Sequence, residues 1–413
     1  MKAIIMAVGQ DNRMGQNLQK VLYPILGKTI VEYIIEAAFS AGIDDVTVVT
    51  DKNNGDITTE LGKIYPQIHF AMHNNVQECV NNNDDILILH DDMPLITGEF
   101  IRNLTEFYNL SNPDTVVVES CTPSMEWINT GIYMCNGSTL KRGLKKLDDN
   151  NQREYCLTDI LEILRKDGCN VQVFNSHVDT SAFTKINTQV ELAEAVTHMR
   201  KRINTRHMLN DVRMIDPSTV YIDDTVKIQP GVVIYPGVIL EGNCKIDTGV
   251  TIGANSHLKN AVVGAGVNIR QSVIFDAIIG ANTEVGPFAY MRQNVQIGEK
   301  CRIGNFVEIK NSTVGNETKA AHHAYIGDAD IGKRVNYSCG AITSNYDGKN
   351  KHRTVIGDDV FVGSNSNLIA PVTLGDEAFV AAGSTITDDL QKCSLGIARS
   401  RQVEKLNWVK TKS

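Results

Sequence analysis

Residues 310–355 read "KNSTVGNETKAAHHAYIGDADIGKRVNYSCGAITSNYDGKNKHRTV". This run holds His322, His323, Tyr325, Asn336, Asn345, Tyr346, Lys351 and His352, with Lys310 at its head and Arg292 a short way upstream. A neutral imidazole can take a proton from an ammonium nucleophile, and Arg and Lys hold phosphate through charge-assisted hydrogen bonds. The set therefore reads as a site where His322 or His323 deprotonates an amine on a phosphorylated substrate. Each residue alone has an ordinary explanation as a solvated side chain, and their density is what points to chemistry. A second set stands at the N-terminus. In "MKAIIMAVGQDNRMGQNLQKVL" an apolar run breaks at Gly9 into a polar loop carrying Asp11, Arg13 and Lys20, and "DDILILHDD" ends in Asp91 and Asp92.

Two kinds of element must position these residues. Over the first 188 residues short apolar runs alternate with amphipathic segments: "KAIIMAV" and "DVTVVTD" read as strands, "IVEYIIEAAFSAGI" as a helix closing at Gly42. Strand and helix in alternation predict a mostly parallel sheet with helices on both faces, a Rossmann-like α/β domain over 1–188. Ligands of such sheets bind beyond the carboxyl ends of the strands, where Gly9, Asp91 and Asp92 emerge. A helical linker follows over 189–213.

From 214 to 413 the pattern changes. Apolar residues recur every six positions at Ile222, Ile228, Ile234, Leu240, Ile246, Ile252 and Leu258, with a second series at Val226, Val232, Val238, Cys244 and Val250. The period resumes at Ile279 and again at Ile356. Hexapeptide repeats with Gly and Asn at their corners mark a parallel β-helix, three flat sides to a coil. The phase slips at 259–278 and 310–355 are read as interrupted coils that expel loops, and loops on a rigid scaffold are where chemistry tends to sit.

Composition narrows the function classes. A 413-residue chain with 42% hydrophobic residues has ample apolar content for packed cores. A net charge of −8 with both signs mixed excludes a nucleic-acid surface, which needs a concentrated basic patch. The nine cysteines show no CxxC pair and read as reduced thiols. "AIIMAV" is too short for a signal peptide's apolar region and no run approaches a membrane span, so a cytoplasmic protein without membrane partners is expected.

The segments "GPFAYMR", "GNFVEIKNS", "KAAHHAYIGDADIG", "NYDGKNKHRTVIGDDVFVGSN" and "APVTLG" closely resemble the C-terminal half of a bacterial family of bifunctional enzymes, the N-acetylglucosamine-1-phosphate uridyltransferases/glucosamine-1-phosphate acetyltransferases. The resemblance implies a homotrimer of left-handed β-helices with acetyl-coenzyme A (acetyl-CoA) lying between neighbouring prisms. It makes His322 the general base for the amine of glucosamine 1-phosphate. Arg292 and Lys310 would bind the sugar phosphate, Tyr325 and Asn336 would position the sugar, and Lys351 would complete the phosphate site from a neighbouring coil or chain. Cys339, Asn345, Tyr346, Ser364, Ala382 and Arg399 fall where the family contacts acetyl-CoA. "YMRQN" departs from the family's Arg-Pro-Gly after the same arginine.

In its N-terminal half the resembled family joins N-acetylglucosamine 1-phosphate to UTP. Its signature loop, Leu-Ala-Ala-Gly-x-Gly-Thr-Arg-Met followed by Pro-Lys-Val-Leu, here reads "MAVGQDNRM" and "QKVL". Gly9, Arg13 and Lys20 survive, Asp11 replaces the second glycine and Asn12 the threonine. Asp92 and Asn187 match the family's Mg²⁺ ligands, and Asn129 a sugar contact. Asp11 puts a carboxylate where a triphosphate must approach backbone N–H groups. "FAMHNNVQECVNNN" lacks the family's Gly-Thr base contact, and a Tyr-Gly-Arg stretch is missing before "INTGIY". The uridyl step is therefore expected to be weak or absent. Two other readings are a sugar-nucleotide pyrophosphorylase whose β-helix only oligomerises it, and a non-catalytic trimeric scaffold that binds sugar phosphates.

Overall fold

The computed structural model describes residues 1–8, 19–51, 55–121, 126–149, 157–176 and 180–409. Gly9, Asp11 and Arg13 lie outside them. The chain divides into two units, Met1–Met199 and Arg200–Ser413.

The first unit is built on a seven-stranded sheet in the order His69–Met72, Asp45–Thr50, Lys2–Ala7, Asp85–His90, Trp127–Asn136, Thr115–Cys121, Val171–Ser176. Adjacent strands run parallel except Trp127–Asn136, which opposes both neighbours. Because that strand runs backwards, Asn129–Gly131 in its first half lie at the edge where Asp91 and Asp92 leave Asp85–His90. The helix Ile30–Ser40 begins with a capping box in which the Thr29 and Glu32 side chains each accept from the other's backbone N–H. Gly42, just past its end, adopts φ +85°, a conformation open to glycine at little cost. The linker segment is one helix, Gln189–Leu209, which runs from the first unit into the second.

The second unit is a parallel β-helix whose strands pair in register with the coil above and below. The apolar series expected from the sequence points inward, and Val263, Ile269 and Ile274 carry it on through 259–278: Ile228, Ile246, Val263 and Ile279 stack on one face, Ile234, Ile252, Ile269 and Val285 on the second, and Leu240, Leu258, Ile274 and Met291 on the third. All are buried, and each such side chain contributes about 1.5–3 kcal/mol relative to an exposed position. Each coil contacts only its neighbours, so the core is continuous along the axis.

The slip at 259–278 does not expel a loop. Pairing runs through it unbroken, from His257–Lys259 to Val273–Phe275 and from Val262–Val263 to Ala277–Ile279. What changes is the corner, which loses one residue. Each shortened corner places a single non-glycine residue in the left-handed region: Asn260, Gln271, Asp276, Asn311 and Asp328, with φ between 38° and 49°. Asn and Asp tolerate that conformation through local hydrogen bonding, which explains four of the five. In the second slip, 310–355, coils also continue, and the one added piece is the hairpin at Asn345–Arg353. Among the described residues no helix is long and apolar enough to cross a membrane.

Gln271 has an exposed side chain at φ 38°. A branched residue there is expected to lower stability by about 1–2 kcal/mol, whereas glycine relieves the conformation. Urea unfolding of Gln271→Val and Gln271→Gly checks this: the first midpoint should fall and the second should not.

Candidate functional site

Register decides which outward residues share a column. Ile303, Ala320, Tyr337, Val362 and Val380 are successive inward residues of one face. Two positions after each stand Asn305, His322, Cys339, Ser364 and Ala382, so these five line one edge of the prism, with coils spaced ~4.8 Å apart. Near its head the His322 Nδ1 lies 3.1 Å from Asn305 Oδ1. An amide oxygen only accepts, so in the neutral ring this contact requires the proton on Nδ1 and leaves the lone pair on Nε2. His323 occupies the next position, where the chain turns the corner at φ 26°, and its carbonyl accepts from Gly340 N–H at 2.6 Å. At the foot of the column the Arg399 guanidinium donates to the Ala382 carbonyl at 2.8 Å.

The cationic residues gather at the far end of the adjoining face. Arg292 and Lys310 pair in register on successive coils, and Tyr325 follows Glu308 in the ladder beside them. Arg292 donates through Nε and Nη2 to Glu308 Oε1 at 3.2 and 2.7 Å and lies over the Tyr290 ring. Lys310 is buried, with its ammonium 3.9 Å from Asp328 Oδ2. Contact with the Lys351 amine lowers the Lys310 pKa most, burial adds to this, and the Lys351 and Arg292 charges act in the same direction against the pull of Asp328. Three cations set this close, with the Glu308 and Asp328 carboxylates among them, are a candidate anion site. Asp328 also accepts from Asn311 Nδ2 at 2.5 Å and from the Asn345 amide. Burial works to raise its pKa, but these hydrogen bonds and the two lysine charges outweigh it and hold the carboxyl below the usual range.

Lys351 and Tyr346 are carried on the hairpin, where they bridge antiparallel to one another. Asp347 closes its turn by accepting from Lys349 N–H, Asn350 N–H and the His352 ring. At its base Arg353 forks onto Asp330. The expected acetyl-CoA residues are thus divided in one chain. Cys339, Ser364, Ala382 and Arg399 share the edge with His322, while Asn345 and Tyr346 stand across a face, beside Lys351. Asn336 is on the second face, between Lys319 and Phe361 in the ladder. Asn305, Glu308 and Asp328 escaped the sequence reading. The signal was available for Asn305, which lies one coil, seventeen residues, before His322.

In the first unit Lys20 reaches Asn187 Oδ1 at 3.4 Å, Asp92 Oδ2 at 3.6 Å and Asp91 Oδ1 at 4.0 Å. These residues are brought together at the carboxyl edge of the sheet. Asp92 is buried, and its Oδ1 has no hydrogen-bond partner among the described residues. A buried orphan carboxylate oxygen beside an amide oxygen is a donor set that fits a divalent cation. Burial raises the Asp91 pKa to about 7 despite Lys20, with the Asp92 charge adding to the rise. Asn129 instead turns its side-chain oxygen onto its own strand, accepting from Gly131 N–H at 2.8 Å. Gly131 has φ +87°, and a Cβ there would stand 2.9 Å from the His90 ring.

Family models match in keeping with this architecture: a MobA-like NTP transferase domain over residues 3–154, a bacterial transferase hexapeptide (six repeats) over 225–260, and a GMPPB C-terminal domain over 275–372. The bifunctional protein GlmU of Clostridium novyi is 38% identical to the chain, covering 99% of this chain and 98% of that protein. The GlmU proteins of Clostridioides difficile and of a Geobacillus species are each 38% identical, over 100% and 98% of this chain and 98% and 97% of theirs. The chain belongs to the GlmU family. Its alignment with the C. novyi GlmU runs to 454 residues, so that GlmU has segments with no counterpart in the 413 residues here.

The imidazole geometry in this GlmU-family chain has a direct spectroscopic consequence. Nitrogen-15 histidine spectra of the neutral ring should show His322 protonated on Nδ1, and Asn305→Ala should shift it toward the Nε2–H form. An unchanged tautomer in the variant would remove Asn305 from the orienting role.

Proposed function

We propose that the chain transfers the acetyl group of acetyl-CoA to the amine of glucosamine 1-phosphate, supplying N-acetylglucosamine 1-phosphate for UDP-N-acetylglucosamine synthesis. The observation that carries this reading is the His322–Asn305 pair at the head of the column holding Cys339, Ser364 and Ala382, a contact that in the neutral ring leaves the lone pair on Nε2. His323 is engaged in the corner turn, which favours His322 as the base. Nε2 takes a proton from the substrate ammonium, and the freed amine attacks the thioester carbonyl carbon. The C–N bond forms and the C–S bond breaks as the second proton leaving the attacking nitrogen passes to the departing coenzyme A sulfur, and His322 returns the first proton to solvent. Arg292, Lys310 and Lys351 hold the sugar phosphate, so the amine is presented in a fixed orientation. Tyr325 and Asn336 position the ring.

Acetyl-CoA contacts drawn from two corners of one prism are accounted for if the cofactor lies between neighbouring copies. Cys339, Ser364, Ala382 and Arg399 then come from one chain and Asn345 and Tyr346 from the next, in a homotrimer. The polar column and the buried Lys310 also speak against a β-helix that only oligomerises the protein, since oligomerisation requires neither.

For the first unit we read uridyl transfer, UTP and N-acetylglucosamine 1-phosphate giving UDP-N-acetylglucosamine and pyrophosphate, as weak or absent. Lys20, Asp92 and Asn187 converge as this reaction requires, and Asp92 with Asn187 would hold Mg²⁺. Bound there, Mg²⁺ supplies charge neutralisation to the triphosphate. Against turnover stand Asp11 in the phosphate loop and the missing base-contact segments.

Two assays separate the halves. Thiol release from acetyl-CoA with glucosamine 1-phosphate should fall about 10²–10⁴-fold in His322→Ala, the range of a lost general base. Unchanged turnover removes His322 from this role, and no turnover in the wild type favours the scaffold reading. Pyrophosphate release from UTP, N-acetylglucosamine 1-phosphate and Mg²⁺ should be near background, and robust turnover overturns the reading of Asp11.

A further inference from the structure

One side chain joins the two halves of the acetyl-transfer site without belonging to either. Asp328 is buried at a shortened corner, φ 49°, and its two oxygens are used differently. Oδ1 accepts from Asn311, which only braces the corner, whereas Oδ2 serves both the Asn345 amide and the Lys310 ammonium. Lys310 belongs to the phosphate clamp with Lys351 and Arg292. Asn345 opens the hairpin that carries Tyr346 on the acetyl-CoA side. The Asp328 backbone ties the same parts, its N–H donating to the Lys310 carbonyl and its carbonyl accepting from Thr354 N–H at the hairpin's far root. The comparable Asn260–Asp276 corner pair, at 3.1 Å, is exposed to solvent, and Lys259, which stands there as Lys310 does here, is exposed and has its ammonium 3.9 Å from Glu241. The corner ladder is therefore a general device of this fold, and the charge-sharing oxygen is particular to the site.

We propose that Asp328 is a positioning residue that couples the sugar-phosphate clamp to the acetyl-CoA contacts through its shared Oδ2. This rests on the reading of Arg292, Lys310 and Lys351 as the phosphate site and of Asn345 as an acetyl-CoA contact. A neutral amide at 328 keeps the corner's shape but cannot hold the Lys310 ammonium against Lys351 and Arg292. It also meets Asn345 without the charge that orders it. Because His322 and Asn305 stand on another edge, the base and the amide that orients it are untouched.

The experiment compares wild type, Asp328→Asn and Asn311→Ala as full chains, by steady-state acetyl transfer and by calorimetric binding of inorganic phosphate and of acetyl-CoA. In Asp328→Asn the KM for glucosamine 1-phosphate and for acetyl-CoA should both rise about tenfold, with kcat within about threefold of wild type, and both dissociation constants should weaken in parallel. Asn311→Ala, which loosens the same corner but leaves Oδ2 engaged, should keep all of these within about twofold. Weakening of only one ligand, a fall in kcat alone, or equal losses in Asn311→Ala overturns the coupling role. A wild type that binds both ligands but turns nothing over defeats the acetyl-transfer reading instead, and the binding comparison then still decides the role of Asp328. If Asp328→Asn fails to fold, Asn345→Ala is the second variant. It should weaken phosphate binding although it touches no phosphate ligand directly, and unchanged phosphate affinity there overturns the proposal.

Discussion

Backbone hydrogen bonds from each coil to the next hold the second unit together and assign every outward side chain to a column. A β-helix coil has no freedom to slide, because a shift of one residue would turn its inward Ile, Val or Leu to solvent. Once the apolar period is satisfied, Asn305, His322, Cys339, Ser364 and Ala382 must share an edge, and Arg292 must stand next to Lys310. The site's precision comes from this repetition. Chemistry is supported by a scaffold whose energy lies in side chains that never touch a substrate.

The corners add a second level of control. Most turns spend Gly or Asn on the left-handed position, but at three successive coils beside the candidate base the chain spends Phe288, Phe306 and His323 there. Bulky residues pay for that conformation, and the cost is carried by the core on either side. It also separates two adjacent histidines physically: one belongs to the corner, and the other is held through its Nδ1 by Asn305. At the opposite corner the problem is charge rather than shape. Lys310, Lys351 and Arg292 repel one another when no anion is present, and Asp328 and Glu308 keep that cluster assembled. Asp328, at 3.9 Å, is a weak enough competitor to leave the Lys310 ammonium available, whereas Glu308 holds Arg292 closely at 2.7 Å.

The first unit keeps less of its machinery within view. Its antiparallel strand Trp127–Asn136 brings Asn129–Gly131 to the carboxyl edge, and Lys20, Asp92 and Asn187 converge there from segments far apart in sequence. Asn129 turns inward to its own strand. The orphan oxygen of Asp92 is the feature that still asks for a cation.

Much of this was legible beforehand. A six-residue apolar period admits one architecture, since no helix or hairpin buries residues at that spacing, and the strand–helix alternation before it is equally restrictive. The density of His, Lys, Arg and Asn in 310–355 pointed to the candidate site, because those residue types cannot serve a solenoid core. Sequence could not tell a shortened corner from an expelled loop, since both break the period alike; backbone pairing across 259–278 made the difference. Nor could it show Asn305, Glu308 or Asp328 as parts of the site. Asn and acidic residues are common at β-helix turns, and only the stacking of coils reveals which of them stands against an imidazole or an ammonium. The chain's chemistry was written in residue types and period, whereas the partnership of each charged group depends on contacts between residues a whole coil apart, which exist only once the coils are stacked.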